Sequence, residues 1–113
     1  MMLTKKEILL EARQLLSDPS RWTKGAPARN AQLETVGSTS EAAFCFCAIG
    51  AIRRTLWVNP GRDTEERREL EDVASQALRE SIGRPDISRW NDDPARTHEE
   101  VLAAFDRAIA TCP

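Results

Sequence analysis

The stretch AFCFCAIGAIRR, Ala43 to Arg54, constrains the fold more than any other part of the chain. Its residues are apolar or small on nearly every side, and a helix of that composition belongs in the middle of a domain rather than at its surface. Ser38 and Glu41 stand three apart ahead of it, with the spacing of a capping box. The pattern therefore predicts a central helix from about Thr39 to Trp57, stopped at Asn59-Pro60-Gly61. At about 100° per residue, Cys45 and Cys47 would then point about 200° apart, unable to bridge to each other or to chelate one ion. Cys45 would share the broad apolar face with Ala48, Ile49, Ile52 and Leu56 as a small buried hydrophobe. Cys47 would lie with Ala43, Gly50 and Arg54 on a face of small residues. A glycine inside a helix costs about 1 kcal/mol relative to alanine, so Gly50 points to close approach of another backbone, a bulky side chain or a ligand.

Three further helices follow from periodicity and caps. Thr4 and Glu7 form a capping box ahead of Ile8, Leu9, Ala12, Leu15 and Leu16, and Asp18-Pro19 ends that run. Asp63 or Thr64 opens a helix whose Leu70, Val73, Ala74, Ala77, Leu78 and Ile82 make one stripe, terminated by Gly83. Thr97 with Glu100 opens the last, carrying Val101, Leu102, Phe105, Ala108 and Ile109. The expected fold is all-α: residues 1–113 as one small four-helix domain, with a central buried second helix and two long ordered loops, Asp18–Ser38 and Arg84–Arg96. Loops of that length are usually functional or contain short structure of their own. A hairpin around Lys24-Gly25 or a strand in QLETV would be such structure.

A length of 113 residues fits one domain with one core. A net charge of -2 argues against a dedicated nucleic-acid binder, and charges interrupt MMLTKKEILLEARQLL too often for a signal peptide or membrane span. A cytoplasmic protein is expected. The three cysteines, Cys45, Cys47 and Cys112, form neither zinc spacing nor a disulfide framework, and one histidine, His98, supplies no cluster. No metal or cofactor is expected.

Each long loop carries a tryptophan and arginine. In SRWTKGAPARNA, Trp22 and Arg29 flank a lysine and a glycine; in DISRWNDDPART, Trp90 precedes Asn91, Asp92, Asp93 and Pro94. Trp90 could simply close the core while Asn91 or Asp92 makes an Asx-turn into the Pro94 bend. An Arg29 to Asp92 salt bridge could pin the loops together. Alternatively Trp22 and Trp90 wall a pocket into which Arg29 and Asp92 converge. The candidate ligand-binding residues are Trp22, Arg29, Cys47, Gly50, Trp90, Asn91 and Asp92.

On these residues the chain resembles an uncharacterised family of small bacterial and phage proteins, a domain of unknown function. The likeness rests on Trp-x-x-Gly-x-x-Ala-Arg (Trp22, Gly25, Ala28, Arg29) and Cys-x-x-Gly-Ala (Cys47, Gly50, Ala51). It continues in Trp-Asn-Asp (Trp90, Asn91, Asp92) followed by Arg96-Thr97. The resemblance implies no activity, and Cys45 and His98 lie outside the pattern.

The leading expectation is a non-catalytic binding or interaction protein whose Trp/Arg loops face a protein or small molecule, since both residue types concentrate at binding hot spots. The alternative is a small hydrolase or acyl transferase using Cys47, assisted by Asp92 or His98. That chemistry requires an activating base or a depressed thiol pKa, and a mid-helix cysteine has neither. A homodimer formed through the third or fourth helix is a further possibility.

Overall fold

The computed structural model describes residues 4–58 and 63–113. It corrects the all-α, four-helix expectation. Among the described residues five helices, α1 (Lys5–Leu15), α2 (Ala48–Val58), α3 (Thr64–Ile82), α4 (Ile87–Asp92) and α5 (His98–Ala110), accompany strands β1 (Ala28–Arg29), β2 (Thr35–Val36) and β3 (Cys45–Phe46). The strands form one antiparallel sheet in the order β2-β1-β3. Ala28 is opposite both Val36 and Phe46, and Arg29 opposite both Thr35 and Cys45. Trp22 adds a parallel bridge to Phe46. The long first loop is thus a single 3-10 turn, Pro19–Arg21, followed by a hairpin.

The predicted start of the second helix moves most. The apolar run divides between a strand and a helix: Cys45 and Phe46 are extended, Cys47 is the junction, and α2 begins at Ala48. A short apolar run is compatible with either state. The strand wins here because β1 offers Cys45 and Phe46 a ladder. Ser38 and Glu41 stand ahead of a strand and cap no helix; the Ser38 and Ser40 carbonyls instead accept from Arg54 Nη1 at 3.4 and 2.7 Å. The 200° separation of the two cysteines therefore does not apply, nor does the shared face of Cys47 with Ala43. Asn59-Pro60-Gly61, the expected stop, lies outside the described residues.

The other caps form as their sequences dictate. Thr4–Glu7 and Thr97–Glu100 are reciprocal capping boxes, Asp63 accepts from the Glu66 N–H, and Gly83 ends α3 with φ 68°. While α5 packs on α1 and α3, α2 is the most buried helix, packed against α1, α3 and α4 through residues that include Ile49, Ile52, Thr55 and Leu56. Ile8, Leu9, Leu16, Phe46, Leu78, Val101 and Phe105 join it in one core. Each such large side chain, fully buried, contributes roughly 2 kcal/mol of transfer free energy. Among the described residues no helix is long and apolar enough to cross a membrane.

Candidate functional site

The second long loop contains α4, opened by Asp86, whose carboxylate accepts from the Arg89 N–H at 3.0 Å. This one short helix sends Trp90 into the core, Asn91 into a fully buried position and Asp92 to the surface. Asn91 Oδ1 accepts from Trp22 Nε1 at 2.8 Å and from the Ala48 N–H, the first of α2, at 3.1 Å. Its Nδ2 donates to the Thr23 carbonyl at 3.1 Å and to Asp92 Oδ1 at 2.9 Å. Two donors and two acceptor sites are all that an asparagine side chain has, so Asn91 is saturated. Asp92 Oδ1 also accepts the Gly25 N–H at 2.9 Å. Lys24 Nζ donates to the carbonyls of Asp93 and Pro94 at 2.7 and 3.3 Å. The segment from Trp22 to Gly25 is thereby fastened to α4, and both to the start of α2.

Gly50 supplies the second junction. A Cβ there would stand 1.9 Å from the Pro27 carbonyl oxygen, so only glycine lets the Pro27 backbone lie against α2. The same carbonyl accepts from the Cys47 N–H at 3.2 Å. Cys47 is the cap of α2: its carbonyl takes the Ala51 N–H at 2.9 Å, and its Sγ takes the Gly50 N–H at 3.3 Å. A helix start ordinarily favours thiolate. Burial overrides it and pushes the Cys47 thiol up; the Gly50 N–H opposes this, the Asp92 charge reinforces it, and the Ile49 N–H and Arg53 oppose it more weakly.

Between these junctions lies an open cleft of about 230 Å³. Gly25, Ala26 and Pro27 form one wall, Cys47, Ile49 and Arg53 of the α2 region another, and Ser88 and Asp92 of α4 the third. Arg53 Nε reaches Glu71 at 3.4 Å. A larger groove of about 510 Å³ runs along Arg84 to Pro94, but one segment of the chain makes it, and each of its acids has one oxygen engaged locally. Asp86 holds Arg89 N, and Asp93 holds Ala95 N. Among the described residues no group of three or more His, Cys, Asp or Glu is arranged to hold a metal ion.

A family model described as a family of unknown function (DUF6197) matches residues 1–111. The chain belongs to this family. No curated protein and no solved structure matches it.

In this member of the family, Cys47 and Asp92 reach one cleft, with Gly50 and Asn91 holding its walls from behind. The tryptophans do not line this cleft; Trp90 lines the larger groove instead. Trp22 is a half-buried strut between Asn91 and His98, whose ring centroid lies 6.1 Å away. Trp90 closes the core, with the Arg96 guanidinium 4.1 Å above its ring. Arg29 does not bridge to Asp92. Its guanidinium fastens the hairpin, donating to Thr23 Oγ1, the Leu33 carbonyl, Thr35 Oγ1 and the Lys24 carbonyl at 3.1–3.2 Å. The Asx-turn into Pro94 belongs to Asp93, which accepts from Ala95 N, rather than to Asn91 or Asp92. His98 is half-buried, and its Nε2 is bonded to the Leu16 carbonyl. It faces the Trp22 side, away from any partnership with the thiol. Arg53, Ser88 and Pro27 were not singled out from the sequence. Ser88 could have been found through its four-residue spacing from Asp92, had DISRWND been read as a helix.

Proposed function

We propose that this DUF6197 protein is a non-catalytic binding protein whose site is the cleft between the 24–27 turn, the start of α2 and α4. The carrying observation is the convergence of Cys47 and Arg53 of the α2 region with Asp92 of α4 on one concavity held by a saturated, buried Asn91. A few polar groups among apolar walls, supplied here by Pro27 and Ile49, are the usual makeup of a small-ligand site. The two long loops still make the binding surface, with their tryptophans as supports behind it.

The cysteine-enzyme alternative receives less support. Burial raises the Cys47 thiol, the neighbouring Asp92 charge opposes thiolate formation, and His98 is engaged at the Leu16 carbonyl. A bacterial or phage protein working in the cytoplasm is part of the same reading, supported by the motif resemblance and, for the compartment, by the three free cysteines.

A fragment screen followed by amide NMR tests the site. Binders are expected to shift the Gly25, Cys47, Ile49, Arg53 and Ser88 amides together. Hits that confine their shifts to the Arg84–Pro94 groove would move the site elsewhere, and the absence of any saturable shift would end the proposal.

A further inference from the structure

We infer that the cleft takes a small primary amine, its ammonium group on Asp92 and its carbon chain along Ile49 and Pro27; this rests on the cleft being a binding site. Asp92 and Arg53 are the charges in it. Arg53 is paired with Glu71. Asp92 has no salt-bridge partner among the described residues, and the cations of the turn, the hairpin and the segment after α4 are held elsewhere. Lys24 is on the Asp93 and Pro94 carbonyls, Arg29 is on the hairpin, and Arg96 is on the Trp90 carbonyl and Glu100. The uncompensated charge facing the cleft is therefore negative.

That carboxylate is also pre-positioned. Its two intramolecular bonds, from the Gly25 N–H and Asn91 Nδ2, both fall on Oδ1, which leaves Oδ2 for a ligand. Ser88, four residues earlier on α4, brings a hydroxyl to the same cleft. Oδ2 and Oγ are two acceptors for the three N–H bonds of an ammonium. An anion would meet the Asp92 carboxylate, and the charged donor it would find there, Arg53, is already paired through Nε with Glu71. The N–H groups that a helix start usually offers to anions are taken, Ala48's by Asn91 and Gly50's by the Cys47 thiol. At about 230 Å³ the cleft has room for about eight heavy atoms, taking roughly 30 Å³ for each as for liquid water.

The test is a calorimetric and amide-NMR titration of the intact chain with n-butylamine, 1-butanol and butyrate, repeated on Asp92→Asn. Asparagine keeps an Oδ1 acceptor for both the Gly25 N–H and Asn91 Nδ2, so the variant removes charge while retaining those bonds. Butylamine is expected to bind in the millimolar range, shifting the Gly25, Cys47 and Ser88 amides. It should weaken about tenfold in Asp92→Asn, the size of change that one charge-assisted hydrogen bond gives. If that variant does not fold, salt gives the same answer on the native chain. At about 1 M, where the Debye length is about 3 Å, butylamine binding should weaken and butanol binding should not. Butanol binding as tightly as butylamine, or butyrate binding more tightly, would overturn the amine while leaving the cleft a binding site. Failure of all three to shift the cleft amides would overturn both.

Discussion

Asn91 joins parts of the chain that are far apart in sequence, and its replacement should be costly in proportion. Asn91→Ala leaves Trp22 Nε1–H, the Ala48 N–H and the Thr23 carbonyl without their partner. With each unsatisfied buried group costing about 1–3 kcal/mol, a loss of about 3 kcal/mol is expected in urea unfolding. Gly50→Ala should cost a similar amount, about 3 kcal/mol, because its Cβ would fall 1.9 Å from the Pro27 oxygen, a backbone atom that cannot rotate away. Leu33 predicts the opposite sign. It has φ 66° and is 66% exposed at the hairpin tip, so its left-handed backbone is not offset by burial. Leu33→Asn should raise stability by about 0.5–1 kcal/mol, seen as a Tm about 4 °C higher. Gly50 was legible in the sequence, because a glycine in an apolar run already asks what approaches it. The role of Asn91 was not, since a residue in a Trp-Asn-Asp string looks like a turn former until its distant partners are known.

At the scale of elements, the helices with strong caps were readable and the sheet was not. Thr4–Glu7 and Thr97–Glu100 carry their cap chemistry locally, so α1 and α5 begin where the sequence places them. The strands have two residues each, too short for alternation to register. β2 falls within QLETV as considered, while the hairpin turns at Asn30–Glu34 rather than at Lys24-Gly25. The start of α2 was misread because its cap is a cysteine, outside the usual Ser, Thr, Asp and Asn set, while the decoy pair Ser38 and Glu41 has a capping-box spacing. Thr97→Ala should cost about 1 kcal/mol, measurable by thermal melting. The cap also predicts part of the acid response. The Thr97 N–H, aided by its hydroxyl and by Arg96, holds the Glu100 carboxyl below its ordinary value, and the Ser20 N–H does the same for Asp18. Each therefore contributes stability above the unfolded pKa that is lost as pH falls through the depressed folded value. Urea melts between about pH 5 and pH 2 should show a shallower acid decline for Glu100→Gln, which keeps the cap acceptor but does not titrate.

For the whole molecule, the apolar run marks the most buried helix: α2 packs against α1, α3 and α4, while α5 packs on α1 and α3. The cleft was half-legible. Cys47 and Asp92 meet there, but Arg29, expected as a polar group inside it, secures the hairpin, and the tryptophans, expected as its walls, strut the loops and close the core. Long side chains with several donors can serve either purpose, and only the fold decides which. The account's central claim is that this cleft binds without catalysis, and the state of the thiol at its edge tests it most directly. Carboxamidomethylation by iodoacetamide, followed site by site with peptide mass spectrometry across a pH series, reports that state. The native chain should modify Cys47 no faster than Cys112 at neutral pH, its rate climbing only above the ordinary thiol range. Rapid alkylation of Cys47 at neutral pH, outpacing Cys112 and already at its plateau, would mark an activated nucleophile and contradict the account.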